Sequence, residues 1–223
     1  FPYTTLFRSN RSTGSFSVED GSIRYGMAAV KGIGKPVMEA IVEERERGGL
    51  FSSLKDFCRR LSGKEVNKRT IENFIKAGAF DSFGGTRKQF MMIYVQVMDT
   101  VNQEKKSSMT GQMSLFDIMG EEDKKSLEIR LPDVGEYAKE SKLAFEKEVL
   151  GVYISGHPLE EYADVWKKNI TAATSDFYPM EESGLPKVRD GAKVIVGGMI
   201  TEKTIKYTKN NKVMAFIRSE ERR

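Results

Sequence analysis

Cysteine and histidine are almost absent from this chain, with one of each among its 223 residues, Cys58 and His157. A single cysteine excludes a disulfide framework, and a single histidine excludes a histidine-rich zinc site. Cys58 lies on an apolar stripe with Leu54, Phe57 and Leu61, which makes it a buried thiol rather than a nucleophile. His157 stands in a Gly-His-Pro turn and reads as a capping residue, without the acid or nucleophile that catalysis would need. No apolar run approaches the ~20 residues of a membrane span and no signal-peptide core is visible, so the default compartment is cytoplasmic, with no membrane partner.

What the chain does have is charge. Charged residues make up 30% and hydrophobic ones 39%, the composition of modest cores and long exposed helices, with room for one large or two small domains. The formal net charge is +4, and the stretch from Lys31 to Arg69 holds ten Lys and Arg against six Asp and Glu, which is the whole of that excess. Such a patch is either the electrostatic footprint of nucleic-acid binding or a solvated mixed-charge surface.

The chain is organised around Gly26–Arg45, where a short apolar helix (Met27–Val30) meets a Lys31-Gly32-Ile33-Gly34-Lys35 turn. Pro36 suits the first turn of the next helix, whose inner face is Val37, Met38, Ile41 and Val42. Gly32 and Gly34 allow positive φ and close approach, and the turn aims backbone N–H groups outward along a helix dipole. That is an anion site, and the pattern is a helix-hairpin-helix, which grips a sugar-phosphate backbone without reading bases. The plainer alternative is a glycine turn between two packed helices.

A second helix pair comes next. After Gly48-Gly49 a helix spans about Ser52–Leu61, Ser62-Gly63 ends it, and Asn67 caps another over Lys68–Ala77, with Ile71, Phe74 and Ile75 inward and Gly78 as the stop. Lys68 and Arg69 sit in a first turn, where the dipole disfavours cations, which suggests that an external anion completes the site. The two pairs form a degenerate tandem repeat, each placed to hold one strand of a duplex, with Lys64 on the second turn.

The flanking segments are plainer. Residues 1–11 have no periodicity continuous with the rest of the chain and are read as a foreign leader outside the fold. Phe16–Tyr25 alternates around Glu19-Asp20-Gly21-Ser22 as a β-hairpin. A long helix over about Thr86–Lys106 presents Phe90, Tyr94, Val97 and Val101, with Met91, Met92 and Met98 as core filler. Residues 107–135 form a linker carrying an apolar island, Gln112-Met113-Ser114-Leu115-Phe116, which either folds back or serves as a peptide for a partner's groove. A charged helix covers Tyr137–Val149, and another runs from the Gly156-His157-Pro158 turn through Trp166. From Lys187 the period becomes that of strands: Ala192, Val194, Val196 and Ile200, then Val213, Ala215 and Ile217. This is how an OB barrel opens, with about three of its five strands present.

Taken together, these blocks resemble the bacterial DNA polymerase III α subunits, the C-family replicative polymerases, over about Phe16–Phe216. The resemblance rests on Ile23–Gly34, Val66–Arg69, Lys76–Asp81, Gln112–Asp117 and the Glu146–Leu159 block with its Ser-Gly-His-Pro-Leu run. It implies that Lys31, Gly32, Ile33, Gly34 and Lys35, with Lys64, Asn67, Lys68 and Arg69, contact the backbone of double-stranded DNA. It also implies that Gln112, Met113, Ser114, Leu115 and Phe116 dock on the β sliding clamp, with Leu115 and Phe116 in its apolar pocket. The C-terminal strands would lie near single-stranded template, with Tyr207 and Phe216 as stacking or packing residues, and other replisome subunits are expected partners. The family's catalytic carboxylates and their Mg²⁺ belong to a palm domain that nothing here resembles, so no catalytic residue, metal or cofactor is expected.

The resulting expectation is a mainly α fold with a truncated, OB-like β segment at its C-terminus. Its parts would be a non-native or disordered leader (1–15), the tandem hairpin domain with its flanking helix (16–106), the linker (107–135), a helical connector (136–187) and an incomplete OB-fold (188–223). Two competing classes are a standalone hairpin DNA-binding or repair protein, and a hairpin-containing nuclease, glycosylase or ligase. The first leaves the Gln112–Phe116 peptide without a task; the second needs a carboxylate cluster or a pocketed lysine.

Overall fold

The computed structural model describes residues 4–5, 7–19, 22–64, 66–109, 129–181 and 183–220. The fold is mainly helical, with its longest strands at the C-terminus. Two compact units divide the chain, Phe1–Ser155 and Gly156–Arg223.

The first unit opens on a three-stranded sheet of β1 (Thr4–Thr5), β2 (Ser17–Glu19) and β3 (Ser22–Arg24). β2 and β3 pair antiparallel with Val18 opposite Ile23, the expected hairpin, and β1 pairs parallel with β3. A 3₁₀ turn at Met27–Ala29 then leads to α1 (Lys35–Gly48), α2 (Leu54–Arg60), α3 (Lys68–Ala77), α4 (Arg87–Met109) and α5 (Lys139–Leu150).

Helix ends follow their local chemistry. Ser53 caps α2 by accepting from the Asp56 amide at 3.1 Å, and Asn67 caps α3 by accepting from the Thr70 amide at 3.0 Å. α3 stops at left-handed Gly78, where the Ala79 amide reaches the Phe74 carbonyl and the Gly78 amide the Ile75 carbonyl. Thr86 and Gln89 exchange side-chain and amide hydrogen bonds at the start of α4, a capping box.

These helices enclose a phenylalanine-rich core. Phe57 lies 4.8 Å from Phe51 and 5.0 Å from Phe80, both edge-on. The α2 stripe Leu54, Phe57, Cys58 and Leu61 is buried, as are Ile71, Phe74 and Ile75 of α3. Burial pushes the Cys58 thiol up to about 12, which removes it as a nucleophile. On α4 the filler reading holds for Met98, which is buried, but Met92 is 59% exposed.

Residues 7–15 do not stand apart as a leader. Phe7 is 1% exposed and its ring centroid lies 5.5 Å from that of Phe74. Ser9 bonds the Ala79 carbonyl through both its amide and its hydroxyl, Asn10 exchanges two hydrogen bonds with the Phe51 backbone, and Arg45 donates to the Ser9 and Ser12 carbonyls. One aromatic side chain and a set of hydrogen bonds between side chains and backbone suffice to hold a segment that has no periodicity of its own.

Nor is α5 a mere connector. Its Leu143, Glu146, Val149 and Leu150 are buried, and the Leu150 carbonyl accepts from the Tyr25 hydroxyl at 3.0 Å. Glu146, fully buried, takes Arg87 on one oxygen at 2.9 Å and the amides of Ile154 and Ser155 on the other. Arg87 in turn grips Asp81 and the Lys76 carbonyl, so this buried pair is hydrogen-bonded on every side, the condition for burying charge at all.

In the second unit His157 caps a 3₁₀ turn, Pro158–Tyr162, its Nδ1 accepting from the Leu159 amide at 3.1 Å. α6 (Ala163–Asn169) comes after it. The strand expected over Ala192–Val196 does not form: Ile195 instead exchanges single bonds with Thr171. What remains is one antiparallel pair, β4 (Met199–Tyr207) and β5 (Val213–Glu220), turning at Asn211 with its φ of 57°. The register pairs Tyr207 with Val213 and Thr204 with Phe216, so Tyr207 and Phe216 lie on opposite faces.

Candidate nucleic-acid interface

The Lys31–Lys35 turn is built from both sides. The Lys31 amide donates to the Val149 carbonyl at 2.8 Å and its carbonyl accepts from Asn73 Nδ2 at 2.7 Å, while the Ile33 amide closes onto the Val30 carbonyl. Ile33 is buried and plugs the turn into the core, leaving Gly32 and Gly34 exposed on either side of it. Among the described residues, no acceptor meets the amides of Gly32 or Gly34. Only Gly32 uses a glycine-specific conformation, with φ at 77°; Gly34 is extended, φ −83° and ψ 160°.

The second turn differs. Gly63 also takes positive φ, but Lys105 of α4 reaches over it and donates to the Ser62 carbonyl at 3.0 Å. The Asn67 side chain is committed to its cap, and Lys68 is 2.8 Å from Asp99 on α4. The α3 first turn therefore draws one answering carboxylate from inside the protein.

An open cleft of about 410 Å³ joins the two helix pairs, lined by Lys31, Lys68, Arg69, Glu72, Asn73, Lys76, Glu148 and Val149. Lys76 is bridged to Glu72 at 3.0 Å and Glu148 at 2.9 Å. Burial would lower its pKa, but the hydrogen bonds it donates to Glu148 and Glu72 outweigh that and raise it, so it stays charged.

The other predicted contacts fall outside this cleft. Lys35 lines a separate, largely apolar depression of about 550 Å³ beside Met38 and Val42, and pairs with Glu39 at 3.5 Å. Lys64 is drawn to Glu44 at 3.6 Å and Glu43 at 3.8 Å. Glu44 is a buried hub that the stripe reading of α1 passes over: it also holds Arg60 and Arg47. Burial alone would raise the Glu44 carboxyl, yet Arg60, Arg47 and Lys64 together keep it below the usual carboxylate range. The peptide Gln112–Phe116 lies outside the described residues.

Most of the basic excess is thus spent internally. Of the ten cations between Lys31 and Arg69, Lys35, Arg47, Lys55, Arg59, Arg60, Lys64 and Lys68 have carboxylate partners, and Arg45 has carbonyls. Lys31 and Arg69 have none among the described residues, and both line the cleft. Asn73, which sequence reasoning missed, reaches from α3, the helix of Arg69, to the Lys31 carbonyl. Its one signal was a polar, helix-averse residue amid the apolar run Ile71, Phe74 and Ile75.

Two glycine-turned helix pairs sharing one electropositive cleft define a helix-hairpin-helix module, and residues 9–90 match the helix-hairpin-helix motif family. Relatives cover far more of the chain than this. It is 35% identical over 93% of its length to the DNA polymerase III subunit alpha of Borreliella burgdorferi, 35% over 95% to that of Deinococcus radiodurans, and 34% over 89% to that of Vibrio cholerae. Over 89–95% of its length the chain is thus similar to DNA polymerase III alpha subunits, and it spans 16–17% of the length of these curated relatives. Among the described residues, no helix is long and apolar enough to cross a membrane and no cluster of three or more His, Cys, Asp or Glu is placed to hold a metal.

Proposed function

We propose that this chain is a non-catalytic portion of a replicative DNA polymerase that holds the backbone of duplex DNA and fastens the enzyme to its sliding clamp. One observation carries the DNA reading: among the described residues, Lys31 and Arg69 are the two cations of the basic stretch without an internal partner, and they line one cleft beside an exposed turn whose Gly32 and Gly34 amides meet no acceptor. Donors and cations so arranged match phosphate oxygens and offer nothing that distinguishes one base from another. The clamp reading rests on the Gln112–Phe116 peptide, an apolar island of the kind that docks in a partner's groove. Contact with single-stranded template through β4 and β5, and with other replisome subunits, belongs to the same proposal.

Duplex binding measured by fluorescence anisotropy across a salt series tests it. Two phosphate contacts give a slope of log K against log salt of about −1.8, unaltered by changing the sequence of the duplex. Lys31→Ala or Arg69→Ala flattens that slope by about 0.9. EDTA leaves binding unchanged, because no step of this recognition uses a metal. Salt-independent affinity, or a slope untouched by both substitutions, overturns the reading.

A further inference from the structure

We infer that Asn73 is a positioning residue that makes the two helix pairs act on one phosphate backbone as a single unit. The inference rests on the duplex-binding reading above and goes beyond it, since it assigns the coupling between the pairs to one side chain.

Asn73 sits in the second turn of α3 and is 8% exposed. A carbonyl oxygen can only accept, so the Nδ2 end of the amide must face Lys31, to which it donates at 2.7 Å. Its Nδ2 also stands 3.3 Å from where a Cβ on Gly32 would be, so it lies directly beneath the turn. Arg69 precedes Asn73 by four residues and Lys76 comes three after it, which puts all three on one face of α3. One hydrogen bond therefore ties the peptide carrying Lys31, on the first helix pair, to the helix face carrying Arg69, on the second. The preceding peptide is held separately, through the Lys31 amide on the Val149 carbonyl, so losing Asn73 frees the Lys31–Gly32 peptide alone.

The physical consequence is one of effective concentration. While the tie holds, a phosphate on Lys31 presents the next stretch of backbone to Arg69 at a set distance, and the second contact is intramolecular. Without it the two cations bind as independent point charges. Asn73 touches no phosphate in this scheme; it acts through Lys31 and Gly32.

The test is a double-mutant cycle on the whole chain. Lys31→Ala and Arg69→Ala are made singly and together, in the natural background and in Asn73→Leu, and duplex dissociation constants are measured across salt. Thermal unfolding establishes that each variant is folded. In the natural background the two losses are strongly non-additive, and in Asn73→Leu they become additive, with affinity about tenfold weaker. A purely structural asparagine would change the melting temperature and leave that coupling as it was. If Asn73→Leu does not fold, Asn73→Ala, which removes the donor without adding bulk, decides by the same cycle. Undiminished coupling in a folded variant overturns the role of Asn73 while the duplex-binding reading stands. Absence of salt-dependent binding by the natural chain overturns that reading itself.

Discussion

Gly32 and Gly34 look alike in sequence and are used differently. Gly32 holds φ at 77°, and a Cβ there would press on Asn73 Nδ2 at 3.3 Å; a side chain at this position costs about 1–2 kcal/mol of backbone strain before any ligand is considered. Gly34 has extended φ and ψ open to any residue, and a Cβ would meet Pro36 Cδ at 3.6 Å, an ordinary contact. The prediction is therefore a separation. Gly34→Val leaves the thermal midpoint nearly unchanged and weakens duplex affinity about tenfold or more, by blocking close approach to the exposed amide, whereas Gly32→Val lowers both. Calorimetry with anisotropy on the two variants reads this out, and full affinity in Gly34→Val would remove the turn from the interface. The glycine turn, the Asn67 cap and the thiol on α2 were all legible in sequence because each depends on neighbours within four residues. The partners of Lys64 and Lys68 were not, because Glu44 and Asp99 lie far along the chain and charge patterns do not reveal which carboxylate a lysine will meet.

At the scale of elements, α1 to α4 were legible from apolar spacing, since each buries one stripe of a period near 3.6. Two elements misled for opposite reasons. The first fifteen residues lack periodicity, yet Phe7 enters the core, and the Ser9 amide and the Asn10 side chain hold the segment to the backbone of residues 79 and 51. α5 reads as charged because its buried positions include Glu146, whose charge is answered by Arg87. The segment 192–196 alternates as a strand does, but alternation specifies only a half-buried extended chain, and it forms no ladder. The test of the N-terminal segment is Phe7→Ala. Losing an almost fully buried phenylalanine costs about 3–5 kcal/mol, seen as a lower urea midpoint at unchanged slope. A wild-type midpoint would mean that this segment contributes nothing to the core.

Across the whole molecule, the expected parts and the observed units divide the chain differently. The expected connector, 136–187, is split at Ser155: α5 closes the first unit and α6 belongs to the second. What sequence reasoning could not weigh was burial, since the boundary is set by Val149, Leu150 and Glu146 packing into the first unit rather than by any break in composition. The cleft draws its residues from α3, α5 and the first turn, whereas the peptide Gln112–Phe116 comes after the end of α4 in sequence. No residue is common to the two, so the proposed duplex and clamp activities should be separable by mutation. Replacing Leu115 and Phe116 together by alanine removes the apolar anchors of the peptide; capture by immobilised sliding clamp is expected to vanish while the dissociation constant for duplex stays within twofold. The converse pair, Lys31→Ala with Arg69→Ala, should abolish salt-dependent duplex binding and leave clamp capture intact. Retention of clamp by the first double mutant, or its loss in the second, would mean that the ring is held by a surface of the helical unit rather than by this short apolar peptide.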